Sequence, residues 1–193
     1  MARRAAWRLA ATLALLSGPV RPAPAASVLD HIMASIAALP ARRASFTEEK
    51  RLSSLSQPLE SRGVLVYRPP DHLEKDTETP RRESLVIDGD TLTIAEGDAA
   101  PRRVPLDESP VLRALADTLL AVVAGDITTL RRLYDVQEQG DAGAWRLLLL
   151  PIQPGLRTAV ARVTVDGSGT DIRQIDIQQR NGDEQRMTIQ AIP

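Results

Sequence analysis

Gly63-Val64-Leu65-Val66-Tyr67-Arg68-Pro69-Pro70, followed by Leu73 to Thr77 and then by Leu85-Val86-Ile87-Asp88-Gly89-Asp90-Thr91-Leu92-Thr93-Ile94, is the stretch whose reading decides the fold. Each piece is short, largely aliphatic or β-branched, and bounded by turn formers, as strands are. Pro69-Pro70 ends the first run because proline has no N–H to give a ladder. Leu73, Lys75 and Thr77 alternate with His72, Glu74 and Asp76 until Pro80 stops them. Leu85 and Ile87 then face Leu92 and Ile94 across Asp88-Gly89-Asp90, where glycine supplies the positive φ of a tight hairpin. Three or more such runs joined by tight turns predict an antiparallel meander.

Outward from this stretch the period changes twice on each side. Upstream, Leu29, Ile32, Met33, Ile36 and Leu39 recur at helical spacing before Pro40 closes the run. From Ala44 the period is two, with Phe46, Glu48 and Lys50 opposing Thr47, Glu49 and Arg51, and a polar linker is expected from Ser53 to Ser61. Downstream, a turn at Gly97 to Pro101 leads to an extended piece, Arg102 to Leu106. Ser109-Pro110 is an N-cap followed by proline at the first helical position, and Leu112, Leu115, Leu119, Leu120 and Val123 form the apolar stripe of a helix that Gly125 stops. Asp126 caps a short helix through Arg132. Strands return in Tyr134 to Glu138 and in Trp145 to Leu150, whose four leucines predict burial on both faces. Pro151 and Pro154 interrupt, and strands follow at Ala161 to Val165 and Ile172 to Ile177, on either side of a turn at Gly167-Ser168-Gly169, and at Met187 to Ala191, reached through Asn181-Gly182.

The predicted class is mainly β with helices (α+β): so many strands curl rather than lie flat. A curved sheet needs its concave face covered, and the Leu29 to Leu39 and Val111 to Val123 helices are the apolar surfaces at hand. An incomplete, strongly curved antiparallel β-barrel under a helical lid results.

The N-terminus reads as a secretory signal peptide. Arg3, Arg4 and Arg8 precede an apolar run from Leu9 to Leu16, then Ser17-Gly18-Pro19 and the small residues Ala23 to Ser27, with cleavage expected after Ala25 or Ala26. The run is far shorter than the ~20 residues that cross a bilayer. Residues 1–26 are thus the expected signal and 27–193 one domain, large enough to bury a core without disulfides. Cleavage leaves 20 of the 24 basic residues against 25 acidic ones, a formal charge of −5 that argues against a nucleic-acid partner. The chain has no cysteine, so it lacks the residue that would carry a lipid after the signal.

Reactive groups are scarce. With no cysteine and two histidines, His31 and His72, the usual nucleophile–base pairs and transition-metal sites lack their residues, and neither catalysis, a metal nor a cofactor is expected. Asp88, Asp90, Asp107, Glu108 and Asp126 sit where turns and caps require acids. A sheet that binds is favoured over one that transforms.

Phe46 with Glu48-Glu49-Lys50, the run from Gly63 to the Arg68-Pro69 element, and Leu85 to Leu92 around Asp88-Gly89 together resemble the periplasmic outer-membrane lipoprotein carriers, the LolA-like proteins. The resemblance implies a half-barrel whose apolar interior shields acyl chains in transit, with an inner-membrane donor and an outer-membrane acceptor as partners and a monomeric, exported carrier. It implies that Arg68, in the Arg-Pro element, latches the lid. Candidate cavity residues are Phe46, Leu65, Tyr67, Leu85, Ile87, Leu92, Ile94, Leu115 and Leu119. Glu74 and Thr93 stand where that family has aromatics, and Phe, Trp and Tyr make up 3% of the chain, so the expected lining is aliphatic. The cargo stays open between lipoproteins and other acylated lipids; the second reading is a lipid-sensing or scaffold module of the same shape that moves nothing.

Overall fold

The computed structural model describes residues 27–192, and the expected signal peptide lies outside them. Helix α1 (Val28–Ala37) begins with a reciprocal cap: Ser27 Oγ accepts from the Asp30 N–H and the Asp30 carboxylate accepts from the Ser27 N–H, both at 3.2 Å. It buries Leu29, Ile32, Met33 and Ile36, as the spacing predicts, while Leu39 falls past its end. Strands β1 (Arg42–Arg51), β2 (Leu59–Arg68), β3 (His72–Thr79), β4 (Glu83–Asp88), β5 (Thr91–Glu96) and β6 (Arg102–Pro105) follow as a meander. Helices α2 (Pro110–Ala124) and α3 (Ile127–Leu133) come next, then β7 (Tyr134–Asp141), β8 (Ala144–Pro151), α4 (Pro154–Ala159), β9 (Val160–Ser168), β10 (Asp171–Gln179) and β11 (Glu184–Ala191).

All eleven strands join one antiparallel sheet in the order β6-β5-β4-β3-β2-β1-β11-β10-β9-β8-β7. The two meanders are therefore joined by the first strand pairing with the last, Phe46 opposite Ile189 and Glu48 opposite Met187. Strands β6 and β7 are left as edges, and the curved sheet stays an open half-barrel as predicted. The β4–β5 hairpin has the expected register, Leu85 opposite Ile94 and Ile87 opposite Leu92.

Four local readings change. The segment taken as linker to Ser61 already pairs from Leu59, with Glu60 opposite Glu49. Pro154 does not merely interrupt: it opens α4, where its fixed φ suits the first turn. In the leucine run Leu147 and Leu149 are buried but Leu148 and Leu150 only half so, because the helices cover one face of the sheet. Gly167 belongs to β9 rather than the turn: a β-carbon there would lie 2.0 Å from the Trp145 ring, so the indole packs flat on bare backbone. Trp145 Nε1 then donates to the Gly169 carbonyl at 2.9 Å.

Helix α2 lies across the concave face and divides the core. On one side Ala114, Ala121 and Val122 pack with α1 and α3 against Leu147, Leu149, Val163 and Val165. Its one hydroxyl there, Thr118, shares a 2.8 Å hydrogen bond with the buried Tyr134 phenol and donates to the Ala114 carbonyl at 2.6 Å, so nothing polar is stranded. On the other side Leu112, Leu119, Leu120 and Val123 meet Tyr67, Leu73 and Ile87, and these helix residues are only partly buried. The leucine stripe read from the sequence thus faces the looser half except at Leu115, which packs on the tighter side.

Candidate functional site: the concave face

Directly opposed antiparallel residues share a face, so the registers sort the side chains. Arg42 opposes Tyr67 and Ala44 opposes Leu65, while Ala44 also opposes Ala191. Tyr67 opposes Leu73, Leu73 opposes Ile87, and Ile87 opposes Leu92. Every sheet residue proposed from the sequence for the cavity therefore lies on the concave side.

They do not all meet in one place. A cavity of about 240 Å³ is lined by Leu65 and Tyr67 together with Ala44, Leu73, Val123, Ile172, Ile189 and Ala191, with Arg42, Arg43 and Asp171 also at its wall. Ile87, Leu92 and Leu119 pack beside it in the looser core, whereas Leu115 packs with the tighter one. Leu85 and Ile94 are half-buried farther along the same face. Phe46 is 2% exposed under the Lys75 ammonium, which stands 5.0 Å from its ring centre.

Arg42 is the residue that reading the sequence missed. Its guanidinium donates to the Val123 carbonyl in the last turn of α2 and lies 5.5 Å from the Tyr67 ring centre. The Tyr67 hydroxyl in turn donates to the Pro70 carbonyl at 3.2 Å, which fixes the ring. Burial pushes the Arg42 pKa down and the Tyr67 phenol up, each opposed by the attraction between them. Arg68 sits differently. It follows Tyr67 in the strand, so it points to the convex face, where its Nη1 is 2.8 Å from His72 Nε2 and 3.6 Å from Glu74. The hydrogen bond to the lid helix that the resemblance implied for Arg68 is made by Arg42. The signal was the period of two, which runs back through Ala44 to Arg42.

Farther along β1 the concave face turns polar. Glu48, 3% exposed, accepts from Lys75 Nζ at 2.9 and 2.8 Å, from Ser61 Oγ at 3.1 Å and from Gln185 Nε2. Burial raises the carboxyl pKa, but Lys75, Lys50 and Ser61 outweigh it and hold the group below its ordinary value. Burial also pushes the Lys75 ammonium down, a cost the paired carboxylate opposes. Two-oxygen contact keeps the pair ionised. A larger depression of about 540 Å³ takes in Glu48 and is walled by Glu49, Glu60, Arg62 and Arg186, charged groups that an acyl chain entering it would have to desolvate. No helix among the described residues is long and apolar enough to cross a membrane.

A sequence model described as outer membrane lipoprotein carrier protein, LolA-like, matches residues 22–192. The chain belongs to the LolA-like family. Among solved structures this LolA-like protein is similar to a LolA superfamily protein from Nitrosomonas europaea, at 11% identity and a TM-score of 0.43, covering 84% of this chain and 91% of that one. It is also similar to a chain of the Pseudomonas aeruginosa MucA/MucB complex, at 16% identity and a TM-score of 0.44, covering 84% of this chain and 55% of that one. LprF from Mycobacterium bovis matches at 10% identity and a TM-score of 0.39, covering 84% and 90%. No curated protein matches the chain.

Proposed function

We propose that this LolA-like protein is an exported, periplasmic carrier that takes up acyl chains beneath α2 and hands them on towards the outer membrane. The observation that carries this reading is the placement of the apolar cavity under the weakly held side of the lid. Helix α2 is fixed on its small-residue side by α1 and by the tight core. On its leucine side it is held by Ala116, by partly buried leucines, by the exposed Arg113–Asp90 ion pair and by the Arg42 hydrogen bond. The helix can therefore give way over Tyr67 and Leu73 while its other side stays packed.

The chemistry suits the task. Each methylene moved from water into the cavity contributes about 0.8 kcal/mol, enough to hold a chain yet small enough per group to release it stepwise. Nothing in the reading requires bond making or breaking, so the role is one of binding. In this scheme Arg42, rather than Arg68, is the lid tether. A membrane-bound donor and an outer-membrane acceptor complete the cycle.

The test is recovery of the protein from the periplasm of cells expressing it, followed by native mass spectrometry and extraction of bound lipid. A carrier is recovered with acylated material and passes it to acceptor vesicles. Acylated material that stays bound through that step indicates a lipid sensor instead, and consistently bare protein that takes up no acyl chains sinks the acyl reading.

A further inference from the structure

The Arg42 guanidinium is more than a tether needs. Holding the Val123 carbonyl takes one neutral donor, whereas a guanidinium brings five N–H groups and a permanent charge. Arg42 is half-withdrawn from water, and among the described residues its contacts are that carbonyl and the Tyr67 ring, with no carboxylate paired to it. The other charged groups on the cavity wall, Arg43 and Asp171, are exposed. A partly buried cation without a counter-ion is costly to keep unless an anion comes to it.

The surroundings define that anion. One side of Arg42 is the apolar wall of Ala44, Leu65, Leu73 and Ile189, and on the other the negative dipole end of α2 favours the cation and opposes an anion, so the ligand's anion has to come from the apolar side and take the place of the Val123 carbonyl. We propose that Arg42 is a head-group site: the ligand is a single-chain amphiphile ending in a carboxylate or a phosphate monoester, its anion on Arg42 and its chain in the cavity. This rests on the reading of the cavity as an acyl site and narrows the cargo from any acyl chain to an anionic one.

Loading is then coupled to the lid. An anion on Arg42 competes with the Val123 carbonyl, so binding the head releases the end of α2. The space present with that bond in place, about 240 Å³, is below the ~300–1,000 Å³ of ordinary ligand pockets, and a full chain needs the helix to yield.

The experiment compares dodecanoic acid, dodecyl phosphate and dodecanol, one chain with three heads, by calorimetry near neutral pH. The proteins are the wild type, Arg42→Met, Arg42→Lys and, as a charge control on the convex face, Arg68→Met. Charge-assisted hydrogen bonding predicts that the wild type binds the anionic heads about 10- to 100-fold more tightly than the alcohol. Arg42→Met should bring that ratio to about one while still binding dodecanol, Arg42→Lys should keep part of the preference, and Arg68→Met should keep all of it. Preference for only one of the two anions identifies which head the site takes. Equal binding of acid, phosphate and alcohol by the wild type overturns the head-group site and leaves the acyl cavity standing, as does a preference that survives in Arg42→Met. Failure of all three ligands to bind removes both.

Discussion

Gly125 lies so close to α1 that a β-carbon on it would come within 2.3 Å of the Met33 carbonyl oxygen and 2.8 Å of the Ala37 nitrogen. The same residue closes α2 with a left-handed φ of 69°. One missing side chain thus serves two needs, ending α2 and letting its end pack against α1. Gly125→Ala forces both a left-handed alanine and a backbone clash, at about 1–2 kcal/mol and about 1–3 kcal/mol respectively. At roughly 2–4 °C per kcal/mol for a chain of this size, we expect a melting temperature lower by ~5–15 °C. Calorimetric melts check this, and an unchanged midpoint would show that α1 does not pack against this cap.

The lid tether predicts a kinetic contrast between two arginines. Arg42→Leu removes the hydrogen bond to Val123 and should speed release of an uncharged fluorescent acyl ester by about 10-fold or more, since hydrogen bonds to charged groups contribute ~1.5–3 kcal/mol. Arg68→Leu, on the convex face, should leave release unchanged. Stopped-flow dissociation separates the two, and an effect confined to Arg68→Leu would return the latch to the Arg-Pro element.

Ala44 is the smallest wall residue between Leu65 and Ala191. Ala44→Trp should fill the cavity and weaken acyl uptake by ~10-fold or more, because losing even two buried methylenes costs about 1.6 kcal/mol. Circular dichroism should show the fold retained. Full uptake by this variant would place the acyl chain elsewhere.

The Glu48–Lys75 pair should behave as a buried pair does. Lys75→Met leaves the carboxylate without its main partner and is expected to cost about 3–5 kcal/mol, whereas Glu48→Leu combined with Lys75→Met should recover most of that loss. Chemical denaturation of the three proteins measures it; a double variant no better than the single one would mean that the hydrogen bonds from Ser61 and Gln185 matter more than the charge pair.

The same carboxylate sets a pH dependence. Its folded pKa lies below the ordinary 4.5, so the folded state binds fewer protons than the unfolded one near that pH. The stability it contributes is complete above the ordinary value and is lost as pH falls below it, through the folded value. Wild type and Glu48→Gln should therefore converge in melting temperature on acidification below about pH 4.5. A gap of constant size down to acid pH would exclude ionisation of Glu48 as its source.

What the sequence determined by itself was local. The Asp88-Gly89-Asp90 hairpin, the Ser109-Pro110 start and Gly125 end of α2, and the leucine stripe on that helix were legible because turn chemistry, caps and periodicity act within a few residues. The curved sheet and the concave placement of Leu65, Tyr67, Ile87 and Leu92 followed from alternation once the strands were found. Three things belonged to the tertiary structure: the pairing of β1 with β11, the cavity walls it brings from Ile172, Ile189 and Ala191, and the choice of arginine. Arg42 and Arg68 are both arginines at strand ends beside apolar runs, and the period of two, which puts Arg42 in phase with Ala44 and Arg68 out of phase with Tyr67, does not say which face meets the lid. In a strand a shift of one residue moves a side chain to the opposite face. Only the register, Arg42 opposite Tyr67, places one guanidinium against the lid and leaves the other in solvent.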